Sequence, residues 1–120
     1  MNETVLIVED EALVGLSMQD TLIRYGFKIP RVIDNADELI PAVMEYRPDL
    51  ILMDIRINSF VDGVDAAERI RLVSDIPVVY VTAHNDPATR GRAAKTDPMG
   101  YLVKPVEETT LVHTVKSVLS

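Results

Sequence analysis

Cysteine is absent from the 120 residues. That excludes a disulfide framework, a thiolate metal site and a cysteine nucleophile. No basic leader precedes an apolar stretch, and no apolar run approaches the roughly 20 residues that a membrane-spanning helix needs. The sequence therefore signals neither secretion nor membrane insertion, and the cytoplasm is the expected compartment. Positive charge is in short supply: 12 Lys and Arg stand against 19 Asp and Glu, a formal charge of −7. Direct binding of a nucleic-acid backbone, which needs clustered cations to release counterions, is not expected. The glycine-rich phosphate loops of nucleotide-binding enzymes, G-x-G-x-x-G and G-x-x-x-x-G-K-[ST], are missing too. So are internal repeats, linkers and low-complexity segments.

Apolar material is plentiful, at 48% of the residues. This suffices for the core of one compact domain over 1–120, stand-alone or excised from a longer protein, with no room for a second. The chain is organised around Asp49-Leu50-Ile51-Leu52-Met53-Asp54-Ile55-Arg56. Four apolar residues between Arg47-Pro48 and an Asp read as a strand buried on both faces, as in a parallel sheet covered by helices. Asp54 then sits at the carboxyl end of that strand, where open α/β sheets bind their ligands.

The other elements follow from the same signals. Residues 4–8 form a first β-branched run that stops at Glu9-Asp10-Glu11. From 11 to about 25, Ala12, Leu13, Leu16, Ile23 and their neighbours recur at helical spacing until Gly26 ends the pattern. Residues 28–33 make a weaker strand, and Pro30, which has no donor for the ladder, predicts an edge position. Asp34-Asn35 opens a helix to about 46, with Pro41 near its first turn. After the central strand and a 54–61 loop come a helix over 62–73, a strand over 76–81 and a helix from the Asp86-Pro87 cap to about 96. A strand over 99–103 and an amphipathic helix over 107–119 complete the chain, with Leu111, Val112, Val115, Val118 and Leu119 facing inward.

Five strands alternating with five helices predict a flavodoxin-like, doubly wound (βα)5 parallel sheet with right-handed crossovers. An edge for the second strand gives the order 2-1-3-4-5, with its switch point between strands one and three. That order gathers Glu9, Asp10, Asp54, Thr82 and Lys104 at one crevice. Singly, each has an ordinary reading as an exposed acid, a helix cap or a surface lysine. Together they read as chemistry, because crowded carboxylates repel unless a hard cation neutralises them. Mg²⁺ suits such a set, binding one or two carboxylates plus water and phosphate oxygens. Asp54 can then act as the nucleophile that forms an aspartyl phosphate, with Lys104 supplying a fixed positive charge and Thr82 a hydroxyl.

The set Val8-Glu9-Asp10-Glu11, Leu52-Met53-Asp54, Val81-Thr82-Ala83 and Tyr101-Leu102-Val103-Lys104-Pro105 resembles, in this order, the receiver domain of two-component response regulators, of the chemotaxis-receiver type. The resemblance covers essentially the whole chain. It implies that Asp54 takes a phosphoryl group from the phosphohistidine of a histidine kinase or phosphotransfer protein. It further implies that Asp10 binds Mg²⁺ directly, that Glu9 holds it mainly through water, and that the Arg56 main-chain carbonyl completes the protein ligands. Thr82 and Tyr101 match the family's switch pair, read by an output domain or downstream protein on the face of helix four, strand five and helix five. The Lys104-Pro105 bond matches one that is cis in the family. Such a domain is a signalling module rather than an enzyme, although it promotes its own phosphotransfer and autodephosphorylation.

The departures bear on the neighbouring loop. Asn58 replaces the family's common Pro, and Asp62-Gly63 begins eight residues after the acceptor instead of seven. Met99-Gly100 stands where pairing transcription factors of the family carry acidic residues, so their dimer mode is not expected. Arg56 and His84 flank the site, where a long Arg lying across a phosphoryl group would slow its hydrolysis; the alternatives for Arg56 are solvent or a pair with Asp62. Among rivals, a dehalogenase-type phosphatase wants a second Asp where Arg56 stands, and a flavin module remains open from topology alone. A degenerate receiver, a phosphorylation-independent interaction module, usually lacks the acids that are all present here.

Overall fold

The computed structural model describes residues 2–57 and 61–120. Its strands are β1 (Val5–Val8), β2 (Val32–Ile33), β3 (Leu50–Met53), β4 (Val78–Thr82) and β5 (Gly100–Val103). The helices between and after them are α1 (Ala12–Arg24), α2 (Leu39–Tyr46), α3 (Gly63–Arg71), α4 (Pro87–Ala94) and α5 (Glu108–Leu119). All pairings are parallel, in the order β2-β1-β3-β4-β5. The doubly wound sheet expected from the sequence is the one formed.

Successive residues of a strand point to opposite faces, so a strand covered on both sides must be apolar throughout. Leu6, Val8, Ile51, Met53, Val78 and Tyr80 pack on the side of α2 and α3. Val5, Ile7, Leu50, Leu52, Val79 and Val81 pack on the side of α1 and α5. The Tyr80 hydroxyl lies 2.7 Å from that of Thr96, which itself donates to the Ala93 carbonyl. Tyr80 is therefore the donor of the pair, and burial pushes its phenol up to about 12.

Several expected bounds shift. Strand β2 shrinks to two residues, joined by a lone bridge from Thr4 to Lys28, because the Pro30 segment offers no ladder. The second helix begins as a 3-10 turn over Ala36–Glu38, with the Asn35 side chain accepting from the Glu38 amide. The face of α1 differs most. Leu13, Leu16 and Ile23 are 82%, 58% and 50% exposed, while Gly15, Met18, Thr21 and Leu22 turn inward. Gly15 sets this rotation, since a Cβ there would lie 2.8 Å from Val32 Cγ1. Asn58 and the middle of the 54–61 loop lie outside the described residues.

Helix α3 is seated directly on the central strand's exit. Gly63 donates its amide to the Ile55 carbonyl at 2.7 Å. A Cβ at Gly63 would overlap the Asp54 carbonyl oxygen and lie 2.9 Å from Ile55 Cα. Gly91, inside α4, has nothing within 4 Å of such a Cβ. We expect Gly63→Ala to destabilise by about 1–3 kcal/mol through overpacking, and Gly91→Ala to stabilise by roughly 0.5–1 kcal/mol. Urea unfolding midpoints would check both signs.

Candidate functional site

The sheet ladder runs past the strand ends and holds the main chain of the site. Glu9 donates its amide to Ile33 at 2.8 Å, Asp54 to Val8 at 2.9 Å and Lys104 to Thr82 at 2.9 Å. Each side chain thus leaves a backbone fixed by a neighbouring strand, at the carboxyl edge where the order 2-1-3-4-5 opens its crevice. The Lys104-Pro105 bond that follows β5 is cis.

Lys104 reaches back across this edge. Its Nζ lies 2.6 Å from Glu9 Oε1, 3.0 Å from Asp54 Oδ2 and 3.7 Å from Glu11 Oε1. The Glu9 side chain is fully buried and that of Asp54 is 6% exposed, against 14% for Lys104. Burial pushes the Glu9 carboxyl up, with Lys104 and the Glu11 amide opposing and the Asp54 charge adding to the rise. Burial alone would lower the Lys104 ammonium, but its bonds to Glu9 and Asp54 outweigh that and raise it. The cation is held charged between two acids.

Glu9, Asp10 and Asp54 can each offer one carboxylate oxygen, and these lie within 4.8 Å of one another. Asp10 is exposed while the other two are buried, so the cluster meets solvent at Asp10. Hard oxygens in this number fit a small divalent cation that keeps part of its water. Arg56 is exposed beside the cluster. Asp62, its alternative partner, is instead taken by both terminal nitrogens of Arg92, at 2.9 and 3.2 Å.

Thr82 and Tyr101 meet at the main chain of one residue, His84. The fully buried Thr82 accepts the His84 amide on its hydroxyl at 3.3 Å, and the Tyr101 hydroxyl donates to the His84 carbonyl at 2.6 Å. The Tyr101 ring centroid sits 5.8 Å from that of Tyr80, and the Arg90 guanidinium lies 4.2 Å over the Tyr101 ring. All five crevice residues expected from the sequence come to this edge. Sequence reasoning missed the roles of Arg90, Arg92 and the His84 main chain, since no spacing signals a contact between a helix and a distant strand or loop.

Five parallel strands in the order β2-β1-β3-β4-β5, with an acid cluster and a lysine at their carboxyl edge, define a doubly wound domain of the flavodoxin-like class. The response regulator receiver domain model matches residues 5–116. Curated relatives include the transcriptional regulatory protein BaeR of Escherichia coli O6:H1, 36% identical over 115 residues, 96% of this chain and 47% of that protein. Another is the transcriptional regulatory protein PdtaR of Mycobacterium tuberculosis, 32% identical over 116 residues, 97% of this chain and 56% of that protein. Among solved structures, the signal receiver domain of a modulated diguanylate cyclase from Desulfovibrio desulfuricans G20 is 34% identical with a TM-score of 0.90, covering 97% of this chain and 92% of that one. A two-component response regulator from Clostridium difficile gives 26% and 0.91, over 98% and 95%. The chain belongs to the response regulator receiver domain family, whose members are signalling domains rather than enzymes in the ordinary sense. It spans about half the length of the curated relatives it matches. Among the described residues no helix is long and apolar enough to cross a membrane.

Removing Lys104 would leave Glu9 and Asp54 buried without a cation. We expect Lys104→Met to destabilise by roughly 2–3 kcal/mol at pH 7. Adding Glu9→Gln should recover most of the loss, because the second change removes the stranded charge. Denaturant unfolding of wild type, both single variants and the double variant would measure the coupling.

Proposed function

We propose that this chain accepts a phosphoryl group on Asp54 from the phosphohistidine of a histidine kinase or phosphotransfer protein. The observation that carries this reading is the buried Asp54 carboxylate, 3.0 Å from the Lys104 ammonium and grouped with Glu9 and Asp10. An Asp54 carboxylate oxygen attacks phosphorus, forming the O–P bond as the P–N bond breaks, and the departing imidazole takes up a proton. Lys104 neutralises charge on the transferring oxygens, having already paired with the acceptor. Asp10, Asp54 and the Arg56 carbonyl would hold Mg²⁺, with Glu9 acting mainly through water. When bound, the ion supplies positive charge to the phosphoryl oxygens. All the acids of the site being in place, a degenerate receiver has no observation in its favour.

Acetyl phosphate provides the direct test. Intact mass should rise by one phosphoryl group in wild type with Mg²⁺, and should not rise after chelation or in Asp54→Asn. Phosphorylation of Asp54→Asn would remove Asp54 from the acceptor role.

The signal then travels through the main chain of His84. A Thr82 hydroxyl drawn to the phosphoryl group lets go of the His84 amide, and the carbonyl of the same residue is what Tyr101 grips. The phosphoryl group shifts an existing equilibrium by contacts it makes in one state only. An output domain or downstream protein would read the result on the face of α4, β5 and α5. Two relatives are named transcriptional regulatory proteins; at charge −7 this chain would serve such an output through another domain or protein rather than by touching nucleic acid itself. The cytoplasm, where kinase and output meet, fits this role. With beryllofluoride and Mg²⁺, amide shifts on that face should be large in wild type and largely lost in Thr82→Ala. Equal shifts in the two proteins would break the proposed link.

A further inference from the structure

Helix α4 has little apolar anchorage, since Ala93 is its one buried residue among the eight from Pro87 to Ala94. Two of its arginines reach to different neighbours. Arg90 lies over the Tyr101 ring and donates to Asn85 Oδ1 at 2.8 Å. Arg92 crosses to the start of α3, where it holds both oxygens of Asp62 and comes within 3.4 Å of Asp65 Oδ1.

The two acids that Arg92 holds form the cap of α3. Asp62 accepts the Asp65 amide at 3.0 Å, and Asp65 accepts the Asp62 amide at 3.2 Å, a reciprocal capping box. Burial alone would raise the Asp62 carboxyl, but Arg92 and the Asp65 amide outweigh it and hold it below the usual range. The next residue is Gly63, packed on the Asp54 carbonyl and bonded to Ile55. A short chain of contacts therefore joins α4 to the main chain of the acceptor: Arg92 to Asp62, Asp62 to the first turn of α3, and Gly63 to Asp54.

We propose that Arg92 is a positioning residue for the phosphoacceptor, clamping the α3 cap so that Gly63 stays seated on the Asp54 main chain and α4 and Asp54 hold each other in place. This rests on the reading of Asp54 as acceptor. A linkage of this kind is reciprocal, so what α4 does for the acceptor, an occupied acceptor does for α4. The bidentate geometry is what a guanidinium supplies and an ammonium does not.

Two readouts on the full chain separate this role from simple stability. The first is hydrogen exchange at the Gly63 amide, which needs no phosphoryl chemistry. The second is affinity for beryllofluoride at saturating Mg²⁺, followed by amide shifts. Arg92→Ala should speed Gly63 exchange and weaken beryllofluoride binding, each by about fivefold, the order expected when a part-exposed bidentate ion pair is lost. Asp62→Asn keeps a cap acceptor but removes the charge, and should match Arg92→Ala. The double variant should be no worse than either single one, and Arg92→Lys should fall between Arg92→Ala and wild type. Arg31→Ala, which breaks a similarly exposed pair with Glu38 at 2.7 Å on another part of the fold, should change neither readout. Gly63 exchange unchanged in both Arg92→Ala and Asp62→Asn would overturn the proposal, whatever happens to the melting temperature. A wild type that failed to bind beryllofluoride would sink the acceptor reading instead, with Gly63 exchange still deciding whether Arg92 clamps the segment.

Discussion

Two carboxylates buried side by side are tolerable in this fold because Lys104 stands between them. Its nitrogen is within 3.0 Å of both Glu9 and Asp54, and without it their desolvation and mutual repulsion would have no counterweight. Lys104 can reach them only because the ladder carries past β4 and β5 into its own amide and because β1 and β3 are adjacent. Sheet order, strand length and cation are thus one constraint seen at three scales. Shortening β5 or exchanging β2 with β3 would separate the charges.

An ion group of this kind is poor evidence of a need for stability. Well-packed apolar side chains of the same volume do as well or better than a buried ion pair, since they carry no desolvation cost. The sheet already has two apolar layers above and below these residues. Charges kept at its edge therefore point to a task that requires a carboxylate, and family membership supplies the class of task. The opening at Asp10 fits the same view, because an exposed acid beside two buried ones gives a hydrated cation a way in.

The strands and the crevice were legible in the sequence because parallel strands covered on both faces produce uninterrupted apolar runs, and each run ends where its chemistry begins. Leu50 to Asp54 and Val78 to Thr82 both have this form. Helix faces were less legible. Leu13 and Leu16 have the right spacing for a buried stripe, yet they are exposed, because Gly15 lets α1 approach β2 on the adjacent face. An absent side chain decided the packing, and hydrophobic periodicity does not register absences. The contacts of Arg90 and Arg92 were invisible for another reason: a long cation on a mostly polar helix chooses its partner by three-dimensional reach, which spacing along the chain does not encode. The capping box at Asp62 fell between, with the glycine and the acids present but the arginine unforeseen.

The switch pair gains its meaning from the two bonds at His84. Thr82 takes the amide at 3.3 Å, near the outer limit for such a bond, whereas Tyr101 donates to the carbonyl at 2.6 Å, a short one. On the proposed reading the long bond is the one that must break when the hydroxyl turns to the phosphoryl group, and the short bond is the one that must carry the movement onward. The His84 amide and carbonyl belong to the two rigid peptide planes that meet at its Cα, so a turn of the first reaches the second through the φ and ψ of His84. Tyr101 does not follow freely, because its ring packs against Tyr80 and under the Arg90 guanidinium. Arg90 belongs to α4, as does the Arg92 that holds the cap beside Asp54. The same short helix is therefore tied to both the residue that would receive the signal and the segment that would report it, and its scant apolar anchorage leaves those ties to set where it rests.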